Sequence, residues 1–158
     1  MCKAQNTGQP GFQLMTKTLL ALPQTILIVE DEPRVGCNLA RMLTQLGYSV
    51  LLCQQPIEAI QILEQEPELF AIVADYNLYG TLTGLDILAS SRAYHPNACR
   101  ILISALIVPE HDECRMPLIC HTFLKKPFTW KQLEYALHTP QSMTQRLDDS
   151  RIPALFEH

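Results

Sequence analysis

The sequence predicts an α/β fold built on a parallel sheet, and three observations carry that prediction. Short apolar runs without polar interruption, at Thr25–Val29, Ala71–Ala74, Ile101–Ile103 and Thr122–Leu124, suit strands buried on both faces. Segments of helical periodicity lie between them, and crossovers of that length join parallel strands with a right hand. Each of these runs also ends on a polar group: Glu30-Asp31-Glu32, Asp75, Ser104 and Lys125-Lys126. Ligands collect at the carboxyl ends of parallel strands, so those side chains are expected in one crevice.

Taken in order, Met1 to Leu22 mixes Gln, Thr, Gly and Pro without a sustained period and reads as a poorly ordered tail. The expected boundaries are a tail at 1–23, one domain at 24–139 and a second tail at 140–158. After the first strand, Pro33 suits the opening turn of a helix, and Val35, Leu39, Met42, Leu43 and Leu46 recur at helical spacing until Gly47 stops it. Tyr48 to Cys53 is strand-like. Pro56 then opens a second helix with Ile57, Ile60 and Leu63 on one face, closed by Pro67. The strand ending at Asp75 follows, and Gly84 precedes a third helix carrying Leu85, Leu88 and Ala89. His95-Pro96-Asn97 turns the chain into the strand ending at Ser104. Pro109 and Pro117 bracket only Glu110 to Met116, so a fourth helix there is short and irregular, about two turns. After Lys126-Pro127, Thr129 suits the N-cap of a last helix with Trp130, Leu133, Ala136 and Leu137 facing inward. Gln141 to His158 has too little periodicity to assign.

Composition bounds the function. With 158 residues, 47% hydrophobic and 18% charged, the chain buries one sizeable core and leaves no room for a second output domain. A formal net charge of -4 with scattered Lys and Arg supplies no basic stripe, so nucleic acid is not an expected partner. Most of the six cysteines fall in expected helices or strands, which points to reduced thiols and a cytoplasmic protein. The apolar patch Leu19 to Leu22 is too short for a membrane span. His111, Asp112, Glu113, Cys114, Cys120 and His121 match no standard zinc spacing.

Two parallel strands ending in carboxylates crowd negative charge together. At an effective dielectric near 20, two unit charges ~4 Å apart repel by roughly 4 kcal/mol, so the cluster calls for a hard divalent cation with oxygen ligands. With Ser104 and Lys126 added, the chain from about Thr25 to Thr139 resembles a response-regulator receiver domain, the phosphoacceptor of two-component signalling. The resemblance implies a doubly wound, five-stranded, flavodoxin-like (βα)5 fold. It places Glu30 and Asp31 on the acidic pair that holds magnesium, Asp75 on the phosphorylated aspartate, and Asn77 on the residue whose backbone carbonyl ligates the metal. Ser104 falls on the switch hydroxyl, Phe123 on the switch aromatic, and Lys126 on the lysine that precedes a commonly cis proline. Glu32 competes with Glu30 for the second acidic role.

The implied activity is a stand-alone phosphoacceptor, not an enzyme beyond self-dephosphorylation. A histidine kinase or phosphotransfer protein would load Asp75 in the presence of Mg2+, and output would pass to a protein partner or a second copy. The expected output face is Ala105 to His121, Phe123 and the last helix, with Ile107, Val108, Leu118 and Ile119 as its apolar patch. A pseudo-receiver that signals without phosphorylation is the alternative, because Leu78-Tyr79 replaces the family's Met-Pro and Thr83-Gly84 comes one residue late. A phosphohydrolase with an aspartyl nucleophile ranks last, since its general acid would fall on Asn77.

Overall fold

The computed structural model describes residues 23–138 and 145–147. The rest of the expected tails, 1–22 and most of 140–158, lies outside the described residues. The five expected strands, β1 (Thr25–Val29), β2 (Ser49–Cys53), β3 (Ala71–Asp75), β4 (Cys99–Ser104) and β5 (Thr122–Lys125), form one parallel sheet in the order β2-β1-β3-β4-β5. The strand order reverses direction at β1 and β3, which makes their carboxyl ends the crevice of an open α/β sheet. Their register, Ile28 with Val73 and Val29 with Ala74, ends the two strands level and sets Glu30 beside Asp75.

Uninterrupted apolar strands bury side chains on both faces, and the helices divide accordingly. Helices α1 (Pro33–Gln45) and α6 (Trp130–His138) cover one face, where Leu39, Leu43, Leu133, Ala136 and Leu137 meet Ile26, Ile28, Val73 and Ile101. Helices α2 (Pro56–Gln65) and α3 (Gly84–Tyr94) cover the other, where Ala59, Leu63, Leu85 and Leu88 meet Leu27, Val29, Ile72 and Leu102. Thr129 caps α6 as expected, its hydroxyl accepting from the Gln132 N–H at 3.3 Å while Gln132 Oε1 accepts from the Thr129 N–H at 2.7 Å. Two inward assignments are corrected. Ile57 is 65% exposed, because the buried stripe of α2 runs through Pro56, Ala59 and Leu63. Trp130 is 48% exposed, because it opens α6 and burial starts only at Gln132.

The fourth helical segment is two single turns, α4 (Glu110–Glu113) and α5 (Met116–Ile119). Pro117 does not end a helix. It sits in the opening turn of α5, where its missing N–H costs nothing. The apolar patch is correspondingly smaller than expected: Ile107 and Leu118 are exposed with Leu106, whereas Val108 is buried and Ile119 half-buried.

A short strand, β6 (Gln145–Leu147), extends the sheet by pairing parallel to β5. Because α6 lies on the α1 face, the step from β5 to β6 has the opposite hand to the other crossovers, the rarer hand for such units. None of Cys37, Cys53, Cys99, Cys114 and Cys120 forms a disulfide. No helix among the described residues is long and apolar enough to cross a membrane.

At the amino end of β4, Arg100 is buried and bonds carbonyls instead of a carboxylate, Ile119 O at 2.9 Å and His95 O at 3.4 Å. His121 beside it accepts from the Arg100 N–H through Nδ1 at 2.9 Å. Burial, with the Arg100 charge, pushes the His121 imidazole down to about 4. A depressed imidazole contributes stability that is complete above its unfolded value near 6.5 and is lost as pH falls toward the folded value. Urea unfolding between pH 6.5 and 4 is therefore expected to lose up to ~3 kcal/mol through this group. His121→Asn, whose amide oxygen can replace Nδ1, is expected to flatten that slope, and an unchanged slope would contradict a neutral buried imidazole.

Candidate functional site

At the carboxyl edge of the sheet a cleft of about 660 Å3 is lined by Glu30, Asp31, Asp75, Asn77, Lys126 and neighbouring loop residues. One carboxylate oxygen from each of Glu30, Asp31 and Asp75 lies within 4.8 Å of the other two. Glu30 is 1% exposed and Asp75 6%, while Asp31 is half-buried. Glu30 is thus no solvated surface charge. Glu32 is exposed and stands outside the cluster.

Lys126 is the cation of the cleft. Its Nζ lies 2.7 Å from Glu30 Oε2 and 3.3 Å from Asp75 Oδ1. The Lys126-Pro127 peptide is cis, and the Lys126 N–H donates to Ser104 O at 2.8 Å, so the register of β4 with β5 fixes where the ammonium enters. Asp75 Oδ1 is buried, and the Lys126 ammonium at 3.3 Å is the charged group that faces it. Burial raises the Asp75 carboxyl above its ordinary range; Lys126 opposes this and the Asp31 charge adds to it. Glu30 is also raised, by burial first, with Lys126 lowering it and Asp75 raising it. Three carboxylates against one ammonium leave an excess of negative charge. Repulsion of roughly 3 kcal/mol per pair at this spacing, with a dielectric near 20, favours a divalent cation. The set of three carboxylates, all hard oxygen donors within 4.8 Å of one another, fits such an ion.

Ser104 is fully buried and its hydroxyl is shared between Asn77 Oδ1 and Leu106 O, each at 3.1 Å, while accepting from the Leu106 N–H. The Asn77 side chain is thereby tied to Ser104, and the residue itself lines the cleft. Phe123 is half-buried between the α2/α3 core and a groove with Leu106, Ile107 and Met116. All seven expected site residues are therefore on one edge of the sheet, with Phe123 one step behind the cleft.

In the loop after Asp75, Gly80 has a φ of 122°, a conformation open to glycine, and Thr83 closes the loop by a capping box with Asp86. The Tyr79 N–H donates to Asp31 Oδ2 at 3.0 Å, which folds the loop over the acidic cluster. Gly84 is required for contact: a Cβ there would overlap the Asp75 carbonyl oxygen.

The residues that sequence reasoning missed lie just behind the cleft. Tyr76 is buried and its hydroxyl donates to Asp112 Oδ2 at 2.6 Å. Burial and then Asp112 push that phenol up to about 12. The available signal was a phenol within an apolar run, since a buried Tyr hydroxyl needs a partner.

Residues 26–138 match the model of the response regulator receiver domain. The chain belongs to that family. As a receiver domain of two-component signalling, it is 30% identical over 109 residues to the sensor kinase CckA of Brucella abortus, a match covering 69% of this chain but only 12% of that protein. The receiver domain of a sensor histidine kinase from Pseudomonas aeruginosa PAO1, solved with a magnesium ion in its active-site cleft, is 30% identical with a TM-score of 0.62. That match covers 73% of this receiver and 95% of the other chain. A response regulator receiver protein from Sinorhizobium medicae is 26% identical with a TM-score of 0.65, over 73% of this chain and 91% of that one.

Gly84→Ala is expected to destabilise this receiver by about 1–3 kcal/mol, since the contact is backbone and cannot rotate away. It is also expected to weaken divalent-cation binding, because displacing the Asp75 carbonyl moves its carboxylate. Urea unfolding and cation titration of the variant check both; wild-type values in each would refute the contact argument.

Proposed function

We propose that this receiver accepts a phosphoryl group on Asp75 from a histidine kinase or phosphotransfer protein in the cytoplasm. The observation that supports this most is a buried Asp75 carboxylate, 3.3 Å from the Lys126 ammonium, inside a cluster of three carboxylates. In the transfer the carboxylate oxygen attacks phosphorus, the P–N bond of the phosphohistidine breaks and a P–O bond forms. Glu30, Asp31, Asp75 and the Asn77 carbonyl would hold Mg2+, whose charge when bound offsets that of the transferring oxygens. Lys126 supplies the second cation as it shifts from Glu30 toward the new phosphoryl oxygens.

Ser104 turns its hydroxyl from Asn77 and Leu106 toward the phosphoryl group, and Phe123 follows into the space beside it. The signal then passes through a protein contact made by this domain or by a second copy, at the face formed by residues 105–121, Phe123 and α6. The domain acts as an acceptor and not as a phosphohydrolase: Asn77 stands two residues after the nucleophile, and an amide cannot serve as general acid.

Incubation with acetyl phosphate and magnesium is expected to add one hydroxylamine-labile phosphoryl group to the intact mass, absent in Asp75→Asn. Unlabelled wild type, or a labelled Asp75→Asn protein, would favour the pseudo-receiver reading, in which the fold signals without phosphorylation. Lys126→Met is expected to retain magnesium binding, since an ammonium is no metal ligand, while slowing labelling on the order of 10²-fold. Loss of magnesium affinity as deep as that of Asp31→Asn would refute this division of roles.

A further inference from the structure

The residue after Asp75 is connected to the output segment by polar contacts that the acceptor reading does not use. Tyr76 lies in the core with only its hydroxyl engaged, and that hydroxyl donates to Asp112 Oδ2 at 2.6 Å. Asp112, in α4, is 3% exposed, a carboxylate brought into the interior of a segment only one turn long. Its other oxygen accepts from Arg115 at 2.7 Å, and Arg115 also reaches Asp86 Oδ1 at 3.1 Å. Asp86 Oδ2 in turn accepts from the N–H and the hydroxyl of Thr83, the cap of α3. The chain of bonds closes on itself, because Gly84 N–H donates to Tyr76 O at 3.2 Å. The strand end bearing Asp75, the start of α3 and the turns 110–115 are thus one hydrogen-bonded ring.

The Tyr76–Asp112 bond ties α4 directly to the residue after Asp75. Val108 and Met116 pack apolar against the α2/α3 core, a contact that tolerates sliding. A hydroxyl to a buried carboxylate does not tolerate it: a displacement of an ångström breaks the bond and costs Asp112 Oδ2 its shortest donor. We propose that Tyr76 and Asp112 are positioning residues, the link by which a change at Asp75 sets the position of residues 105–119. This rests on the reading of Asp75 as phosphoacceptor. It adds to Ser104 and Phe123 a second route from the cleft, running from Tyr76 to α4 within the α2/α3 core.

The experiment uses the full chain in magnesium with beryllofluoride as the phosphoryl mimic. Wild type is expected to change hydrogen-exchange rates at residues 110–119 several-fold on adding the mimic. The Cζ resonance of 13C-labelled Tyr76, assigned by its loss in Tyr76→Phe, is expected to shift with it. Tyr76→Phe keeps the ring and the core, so it is expected to bind the mimic with unchanged affinity but to lose most of the response at 110–119. Asp112→Asn, which keeps an acceptor oxygen for the hydroxyl, is expected to retain more of the response than Asp112→Ala. A merely structural role would speed exchange equally with and without mimic; only the link removes the difference between the two states. Full response in Tyr76→Phe, with wild type binding the mimic, would overturn the link alone. Wild type that bound no mimic would overturn the acceptor reading and the link with it.

Discussion

The arrangement depends on one electrostatic constraint, the excess of carboxylate over ammonium at the end of β1 and β3. A parallel sheet delivers every strand end to the same edge, so the polar residue that follows each apolar run cannot avoid the others. Glu30, Asp31 and Asp75 meet there within 4.8 Å, with Lys126 alone among them. The two buried carboxyls are raised first by desolvation, Glu30 further by the Asp75 charge and Asp75 further by the Asp31 charge, which stores a demand for positive charge in the resting site. Each of the proposed events, cation binding, phosphoryl arrival and the movement of Lys126, changes that same balance. A single cleft can for this reason bind, react and report.

Asp75, Ser104 and Lys126 were legible in the sequence because a strand buried on both faces has no polar residues until it ends. The position of the first polar group then reads out the edge of the sheet. The acidic cluster was legible for the same reason, although the burial of Glu30 and the exposure of Glu32 were not. What could not be read were choices made by tertiary contact. Ile57 and Trp130 have the composition of inward residues and lie outward, since the stripe of a helix is set by where it touches the sheet. Pro117 looked like a stop and is a start, a difference that hangs on one turn of backbone. Tyr76 and Asp112 are separated by 36 residues, and no local pattern marks a long-range pair.

The loop after Asp75 is held next to a site that cannot move. Gly84 must sit against the Asp75 carbonyl, and Thr83 with Asp86 pins the helix start in that place. Between these fixed points the loop passes outward through exposed Tyr79 and Gly80, with Asp31 receiving the Tyr79 N–H.

The same reasoning explains why the segment 106–119 is held by polar bonds. A helix of four residues has barely passed nucleation and cannot stabilise itself by propagation, so its position must be imposed from outside. With Leu106, Ile107 and Leu118 exposed, apolar burial does only part of that. Arg92 holds Leu118 O at 3.0 Å, Arg100 holds Ile119 O at 2.9 Å, and Tyr76 holds Asp112. Apolar packing degrades gradually with displacement, whereas directional bonds to buried groups are either made or lost. A segment fixed mainly by the second kind has discrete positions instead of a continuum. That discreteness is what a two-state response to one added phosphoryl group requires.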